Sequence, residues 1–432
     1  MKRNYLSLPP PPPAIRAAMV KVAERLDKKL PLYDFSSGNA GRLPSKIKLF
    51  KEFKIDINND VHESLLSIAE GLAEGIIESF YSELKGLSYS PTGGLPYIKR
   101  LVLQYFKEIH GIPLSNEDIN KVTVTAGGQQ ALISSLRSLK KNTRLLMLRW
   151  DYDATPSIAK SHGLIEVRIN INEDLTIDLS DLENKVTRDS VFYLSMPNNP
   201  TGYTSPKDLK NIVKIIAENN GGVIWDAPYI FTILRLSNNK AIYDESFLIE
   251  NLKNFKEIAS KYYEYMCILS SLSKTCLIAG LRFGMAFSCE EWINNMEAII
   301  GMESLSSPTP SFIIGSAILK RFLNNPISHK WTCNILANRL TILIEEIGDY
   351  LLLPRNGAFG ALYVIVKTPM DGKKFSSMLI DNYGIVTIPG EAFYGETVNA
   401  IRLSLVSLPW TEEDQEWIKN VKELKKAITN IK

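Results

Sequence analysis

Cysteine and histidine are scarce in this chain, whose 432 residues hold four of each. The cysteines (Cys267, Cys276, Cys289 and Cys333) form no CxxC pair, and His62, His110, His162 and His329 stand apart from them. A structural zinc site needs clustered Cys and His ligands, so metal dependence of that kind is not expected. A disulfide framework is equally unexpected in so long and cysteine-poor a chain. Charge of one sign is also missing. Fifty Lys and Arg offset 47 Asp and Glu, leaving +3. Binders of nucleic acid or anionic membranes usually carry a strong or asymmetric basic excess. There is no run of about 18 apolar residues to span a membrane. The start, MKRNYLSLPPPPP, turns to proline before a signal-peptide core can form. These absences imply a cytoplasmic protein with no nucleic-acid or membrane partner.

What is present has the make-up of a globular protein, 45% apolar and 22% charged, enough to bury a large core. The length suits one large domain plus a smaller one, or two of medium size. Pro9 to Pro13 read as a short extended arm, and AIRAAMVKVAERLDKK behind it has helical spacing. From about residue 65 to 290, helix-like stretches alternate with short apolar runs. KVTVTA, RLLMLRW, VFYLSMP, GGVIWDAP and YMCILSSLS are strand candidates; GQQALISSLRSLKK and SPKDLKNIVKIIAENN are amphipathic helices. Such alternation predicts an α/β domain on a mainly parallel sheet. After about residue 325 a long helix, HKWTCNILANRLTILIEEIGDYL, precedes strand-like ALYVIV, YGIVTIP and AIRLSLV and a helical tail. That pattern predicts a smaller α+β domain. The expected division is 1–48 for an N-terminal arm and part of the small domain, 49–322 for the large domain and 323–432 for the C-terminal small domain.

In an open α/β sheet, ligands bind beyond the carboxyl ends of the strands, and the informative residues cluster there. Ser271, Ser273 and Lys274 follow the strand YMCILS, with Gly280, Arg282 and Gly284 downstream. A lysine among small hydroxyl residues can form a Schiff base, and serines with an arginine can hold a phosphate. Asp226 ends GGVIWD, where a carboxylate can pair with a protonated ring nitrogen. Asn199-Pro200-Thr201-Gly202 ends the preceding strand and can donate to a ring hydroxyl. Gly127, Gly128 and Gln129 join a strand to a helix, whose free N–H groups suit an anion. Taken singly, each has a plainer reading: a surface lysine, an Asn-Pro turn, a tight glycine turn.

Together they have a recognisable order. Y-S-P-T-G-G-L-P (89–96), G-G-Q-Q-A (127–131), N-P-T-G (199–202), D-A-P-Y (226–229), S-L-S-K and G-L-R-F-G (271–274 and 280–284) and I-R-L-S (401–404) resemble the class I/II aminotransferases of fold type I, which use pyridoxal 5′-phosphate. The resemblance spans most of the chain, from about Tyr33 to Arg402. It implies a large, mainly parallel-sheet domain beside a smaller α+β one, and a ping-pong exchange between an L-amino acid and a 2-oxo acid. Lys274 looks like the Schiff-base lysine and general base, Asp226 like the partner of the pyridinium nitrogen, and Asn199 and Tyr229 like donors to the ring oxygen. Tyr152 resembles the aromatic that stacks on the ring, with Trp150 a nearby rival. Gly128, Gln129, Ser271, Ser273 and Arg282 match the phosphate site. Tyr89 is similar to the tyrosine that reaches a neighbouring subunit's phosphate, which implies a homodimer with shared active sites. Arg402 and Gly38 match the contacts to the substrate carboxylate, and Asn199 lies on the substrate side as well. The nearest rival on the same scaffold is an elimination, as in a C–S lyase or an aminocyclopropane-carboxylate synthase.

Some positions depart from the family pattern. Ala40 stands where proline is common, Ile98-Lys99 where Leu-Arg is, and Phe283 is bulkier than usual. The segment from Tyr229 to Lys274 looks long, with RLSNNKAIYDESF expected near the substrate mouth. No second arginine for a dicarboxylate side chain is identifiable.

Overall fold

The computed structural model describes residues 14–46, 60–80, 85–324, 328–411 and 413–431. The proline arm at Pro9 to Pro13 and the boundary between residues 48 and 49 lie outside them. The helix expected behind the arm spans Ala14–Asp27. No helix among the described residues is long and apolar enough to cross a membrane.

The large sheet has seven strands. Their spatial order is Val122–Ala126, Phe283–Phe287, Met266–Ser271, Gly222–Asp226, Val191–Ser195, Arg144–Leu148 and Ile165–Ile169. Six run one way, and Phe283–Phe287 alone is antiparallel to both its neighbours. Val191–Ser195, Met266–Ser271 and Phe283–Phe287 are buried along their whole length, as expected of strands covered on both faces. Helices such as Pro206–Glu218, with Leu209, Ile212, Val213 and Ile216 buried, supply that cover. Ser205 caps this helix by accepting from the Asp208 amide at 3.1 Å.

The direction of the strands positions the site. Five parallel strands end beside one another, at Ala126, Leu148, Ser195, Asp226 and Ser271. The antiparallel strand begins at that same edge, so Arg282 arrives where the other strands finish. Two strands were not evident in the sequence: Phe283–Phe287 follows directly on a glycine-arginine turn, and Ile165–Ile169 (IEVRI) is an edge strand broken by charges.

The smaller sheet is antiparallel, in the order Leu351–Leu352, Tyr363–Lys367, Ala400–Ser404 and Ile388–Pro389. Helices Ser328–Ile347 and Gln415–Asn430 pack on it through Leu336, Leu340, Trp417 and Leu424. From the N-terminal segment, Tyr33–Asp34 pairs with Ile385–Val386. Helix Thr309–Asn324 runs through the expected boundary at 322 and 323.

The long segment after Tyr229 corrects one expectation. It forms a hairpin, Leu234–Ser237 and Lys240–Ile242, whose turn residues Asn238 and Asn239 have φ of +49° and +56°, as a two-residue turn of type I′ requires. The hairpin pairs with Ala358–Phe359 and binds helix Ser328–Ile347, where Thr341 Oγ1 donates to the Ala241 carbonyl at 3.1 Å and accepts from its amide at 3.0 Å. These residues clasp the two sheets' surroundings together, and none of residues 234–247 lines the cavity around Lys274.

Candidate active site

Strand Val122–Ala126 passes straight into helix Gly127–Arg137. The turn demands glycine: Gly127 has φ +78°, and a Cβ there would stand 2.3 Å from Arg282 Nη2. A Cβ on Gly284 would lie 2.4 Å from the Gly127 carbonyl carbon. Bare backbone at both positions lets Arg282 reach the helix start. The amides of Gly128 and Gln129 fall in the first turn, where no intrahelical acceptor exists, and the helix end favours negative charge. Opposite them, Ser271 Oγ lies 2.7 Å from Ser273 Oγ and accepts from the Ser273 amide at 3.1 Å. Arg282 donates to the carbonyls of Ala279 at 2.9 Å and Ala126 at 3.3 Å, which leaves further guanidinium donors for an anion.

On the opposite side of the cavity stands Asp226, whose Oδ2 accepts from the Tyr193 hydroxyl at 3.0 Å. The side chain opens onto the cavity, yet enough protein surrounds it that burial pushes its carboxyl up to about 7. The Tyr193 hydrogen bond and the charge of Lys274 oppose that rise. Among the described residues no cation stands within ion-pair distance of Asp226. Beyond it, Asp151 is fully buried, and burial raises its carboxyl well above the ordinary range. Lys274 projects from the short helix Leu272–Thr275 and donates from Nζ to the Gly38 carbonyl at 2.7 Å.

The third side is built by the small sheet. Arg402 is buried, with Nη1 donating to Asn199 Oδ1 at 3.3 Å and Nη2 to the Ser36 carbonyl at 3.2 Å; its Nε has no partner. Its guanidinium carbon sits 4.1 Å from the ring centroid of Tyr363 and 4.5 Å from that of Phe393. The Tyr229 hydroxyl donates to that of Tyr363 at 3.5 Å.

Gly128, Gln129, Tyr152, Asn199, Asp226, Tyr229, Ser271, Ser273, Lys274 and Arg282 thus line one cavity of about 180 Å³. Gly38 and Arg402 adjoin it through Lys274 and Asn199. Tyr152 donates to Gln129 Oε1 at 3.0 Å, whereas its rival Trp150 packs away from the cavity against Tyr394, 4.8 Å between centroids. Tyr89 is the exception: it is 83% exposed and lines no part of the cavity. The sequence reading missed Ser195 and Tyr363, which also line the cavity. Tyr363 sits inside the apolar run ALYVIV, which reads as plain core. Larger clefts elsewhere, such as one of about 700 Å³ beside Tyr97 and Lys320, bring together no comparable set.

A lysine between a buried carboxylate and an anion cradle, with an arginine nearby, can now be set against known proteins. The family profile described as "Aminotransferase class I and II" matches residues 59–418. The chain is 25% identical to an aspartate aminotransferase of Pyrococcus horikoshii, over 80% of this chain and 84% of that one. It is also 25% identical to an aromatic-amino-acid aminotransferase of Thermococcus litoralis, over 74% and 80%. Among solved structures, an aspartate aminotransferase mutant of Thermus thermophilus superposes with a TM-score of 0.77 at 18% identity, covering 99% of both chains. An archaeal alanine:glyoxylate aminotransferase superposes at 0.75 and 20% identity, over 99% and 97%. At such identities the superpositions speak for the fold.

Proposed function

This chain belongs to the class I and II aminotransferases, and from that premise we propose that it moves an amino group between an L-amino acid and a 2-oxo acid with pyridoxal 5′-phosphate in the cavity around Lys274. The observation that carries this reading is that Asp226, a half-enclosed carboxylate with no cation in ion-pair distance among the described residues, lines the same cavity as a cradle of donors. A protonated pyridine nitrogen supplies the missing charge, and a phosphate matches Ser271, Ser273, Arg282 and the amides of Gly128 and Gln129. When bound, the cofactor supplies an electron-poor ring that accepts the electrons of a broken Cα–H bond.

The residues then divide the work. Lys274 would hold the cofactor covalently through Nζ, and the same Nζ, when free, would be the base that takes the proton from the substrate Cα. Asp226 would keep the ring nitrogen charged, and that charge would offset the desolvation that raises its own pKa. Asn199 and Tyr229, which line the cavity, would donate to the ring oxygen, and Tyr152 would pack on the ring. Arg402 binds the substrate carboxylate through two parallel N–H groups, and Gly38 closes over it. Holding the carboxylate fixes which Cα bond points at Lys274. The relatives named above are all aminotransferases, so the elimination alternative is not favoured.

The same reading makes the active unit a homodimer. Tyr89 is exposed, and so are Ile76, Ile77, Phe80, Leu87, Met302 and Leu305. Thr92 joins this face to Leu305 through a 2.8 Å hydrogen bond, and Thr309 joins it to the Ser88 carbonyl at 2.9 Å. An exposed apolar face of this kind suits a second copy, with Tyr89 entering the partner's phosphate site. Cys267, Cys276 and Cys333, buried and joined in no disulfide, fit a reducing cytoplasmic setting.

The test is an absorption spectrum of the protein with pyridoxal 5′-phosphate, repeated with a panel of L-amino acids. A visible band that some amino acid bleaches and a 2-oxo acid restores establishes the cycle, and Lys274→Ala should alter that band. A band that persists while pyruvate or ammonia accumulates favours elimination. No band at all sinks the reading.

A further inference from the structure

Tyr363 opens strand Tyr363–Lys367, in which Ile365 faces Arg402 across the ladder. Residues two apart share a face of a strand, so Tyr363 is diagonal to Arg402 on the same side, within reach of an aromatic ring. The guanidinium carbon lies over the Tyr363 ring, 4.1 Å from the centroid, and over that of Phe393, 4.5 Å away. The two hydrogen bonds that Arg402 makes are long, at 3.3 and 3.2 Å. The rings therefore set the plane in which it lies.

The hydroxyl of Tyr363 serves two other parts of the site. It accepts from Tyr229 at 3.5 Å, and it presses on Gly38, where a Cβ would stand 2.0 Å from it. Gly38 in turn holds Lys274 through its carbonyl. Burial alone would raise this phenol, but the charges of Lys274 and Arg402 draw it below its ordinary value.

Resting on the aminotransferase reading, we propose that Tyr363 is a positioning residue with two separable roles: its ring orients Arg402 for the substrate carboxylate, and its hydroxyl sets the approach of Gly38 and Tyr229 around Lys274. Removing the ring then weakens substrate capture, while removing only the hydroxyl slows turnover.

The experiment compares Tyr363→Leu, Tyr363→Phe and Phe393→Leu with the wild-type holoenzyme, in the half-reaction with whichever amino acid bleaches the visible band. Tyr363→Leu should raise KM for the amino acid about tenfold, the scale of a lost cation–π contact. Tyr363→Phe should return KM to within about twofold of wild type while kcat stays several-fold low, as positioning losses do. Phe393→Leu should raise KM like Tyr363→Leu but leave kcat near wild type. If Tyr363→Leu proves unfolded by its melting curve, the other two variants carry the test. A wild-type KM in both leucine variants, or a wild-type kcat in Tyr363→Phe, overturns the proposal. A wild-type protein that forms the band but is bleached by no amino acid overturns the aminotransferase reading itself, and this role falls with it.

Discussion

Two buried arginines in the smaller domain have opposite fates. Arg339 is wholly enclosed and saturated. Nε and Nη2 grip the Asp414 carboxylate at 2.6 and 2.8 Å, and the carbonyls of Leu405, Leu408 and Pro409 take three more bonds at 2.8 to 3.2 Å. Arg402, also buried, has no carboxylate within ion-pair distance among the described residues, two long hydrogen bonds and an unpartnered Nε. Burying a guanidinium costs several kcal/mol unless a charge and hydrogen bonds offset it. The fold meets that cost fully at Arg339 and only in part at Arg402. The difference separates an arginine that closes a structure from one held ready for a carboxylate that arrives from outside.

The comparison would break first at Arg402. Arg402→Met should lower kcat/KM for the amino acid by about a thousandfold or more, equivalent to about 4 kcal/mol. It should leave the melting temperature unchanged or raised, because an only partly compensated buried charge is replaced by an apolar side chain. A stability loss comparable to the activity loss would mean that Arg402 is as structural as Arg339. The converse belongs to Asp414→Asn, which strands Arg339. We expect a loss of about 3 kcal/mol or more in urea unfolding with kcat per folded molecule near wild type. A variant that is stable yet inactive would reverse the two assignments.

A third charge, on the half-enclosed Asp226, sharpens the contrast through pH. Its carboxyl rises from the model-compound value of 3.8 to about 7 in the fold. Between those values the native state binds more protons than the unfolded chain, so stability of the cofactor-free protein falls as pH rises from about 4 to about 7. The size is about 3 kcal/mol, somewhat less than the full shift implies because the side chain opens onto the cavity. Asp226→Asn should flatten this window, and so should loading the wild type with pyridoxal 5′-phosphate, whose ring nitrogen supplies the charge. Equal pH slopes in all three urea series would remove Asp226 from the role given to it.

How much of this was legible beforehand follows from where each constraint is written. Lys274, Arg282, Gly127 and Asp226 stand at strand ends where local backbone demands, such as the +78° of Gly127, leave a glycine-rich signature in consecutive residues. Tyr363 leaves none. Its place beside Arg402 comes from the antiparallel register of Tyr363–Lys367 with Ala400–Ser404, a pairing of distant segments that apolar spacing cannot express. The hairpin after Tyr229 was misplaced for the same reason, since its partners Ala358 and Thr341 lie about a hundred residues away. Arg339 went unremarked inside an amphipathic helix, because nothing local marks an arginine whose acceptors all come from residues 405–414.

The smallest effect concerns what balances Arg402 before substrate arrives. Asp153 follows Tyr152 directly and begins helix Ala154–His162 without capping it. Among the described residues its carboxylate makes no ion pair, and burial raises its pKa while Arg402 pulls it down. Its charge also bears on Tyr152 and Tyr363. Arg402 therefore feels its counter-charge across a gap, where Arg339 has Asp414 in contact. A substrate with a second carboxylate would bring another negative charge into the field of Asp153, and among the described residues the cavity's one lining arginine is Arg282, which belongs to the phosphate cradle. Asp153→Asn should raise kcat/KM for glutamate relative to alanine about fivefold, on the order of 1 kcal/mol for charges separated by protein of intermediate dielectric. Added salt should shrink that gain if the gap is open to solvent. If the ratio stays within about twofold of wild type, Asp153 exerts no selection, and Arg402 is balanced by the incoming carboxylate alone.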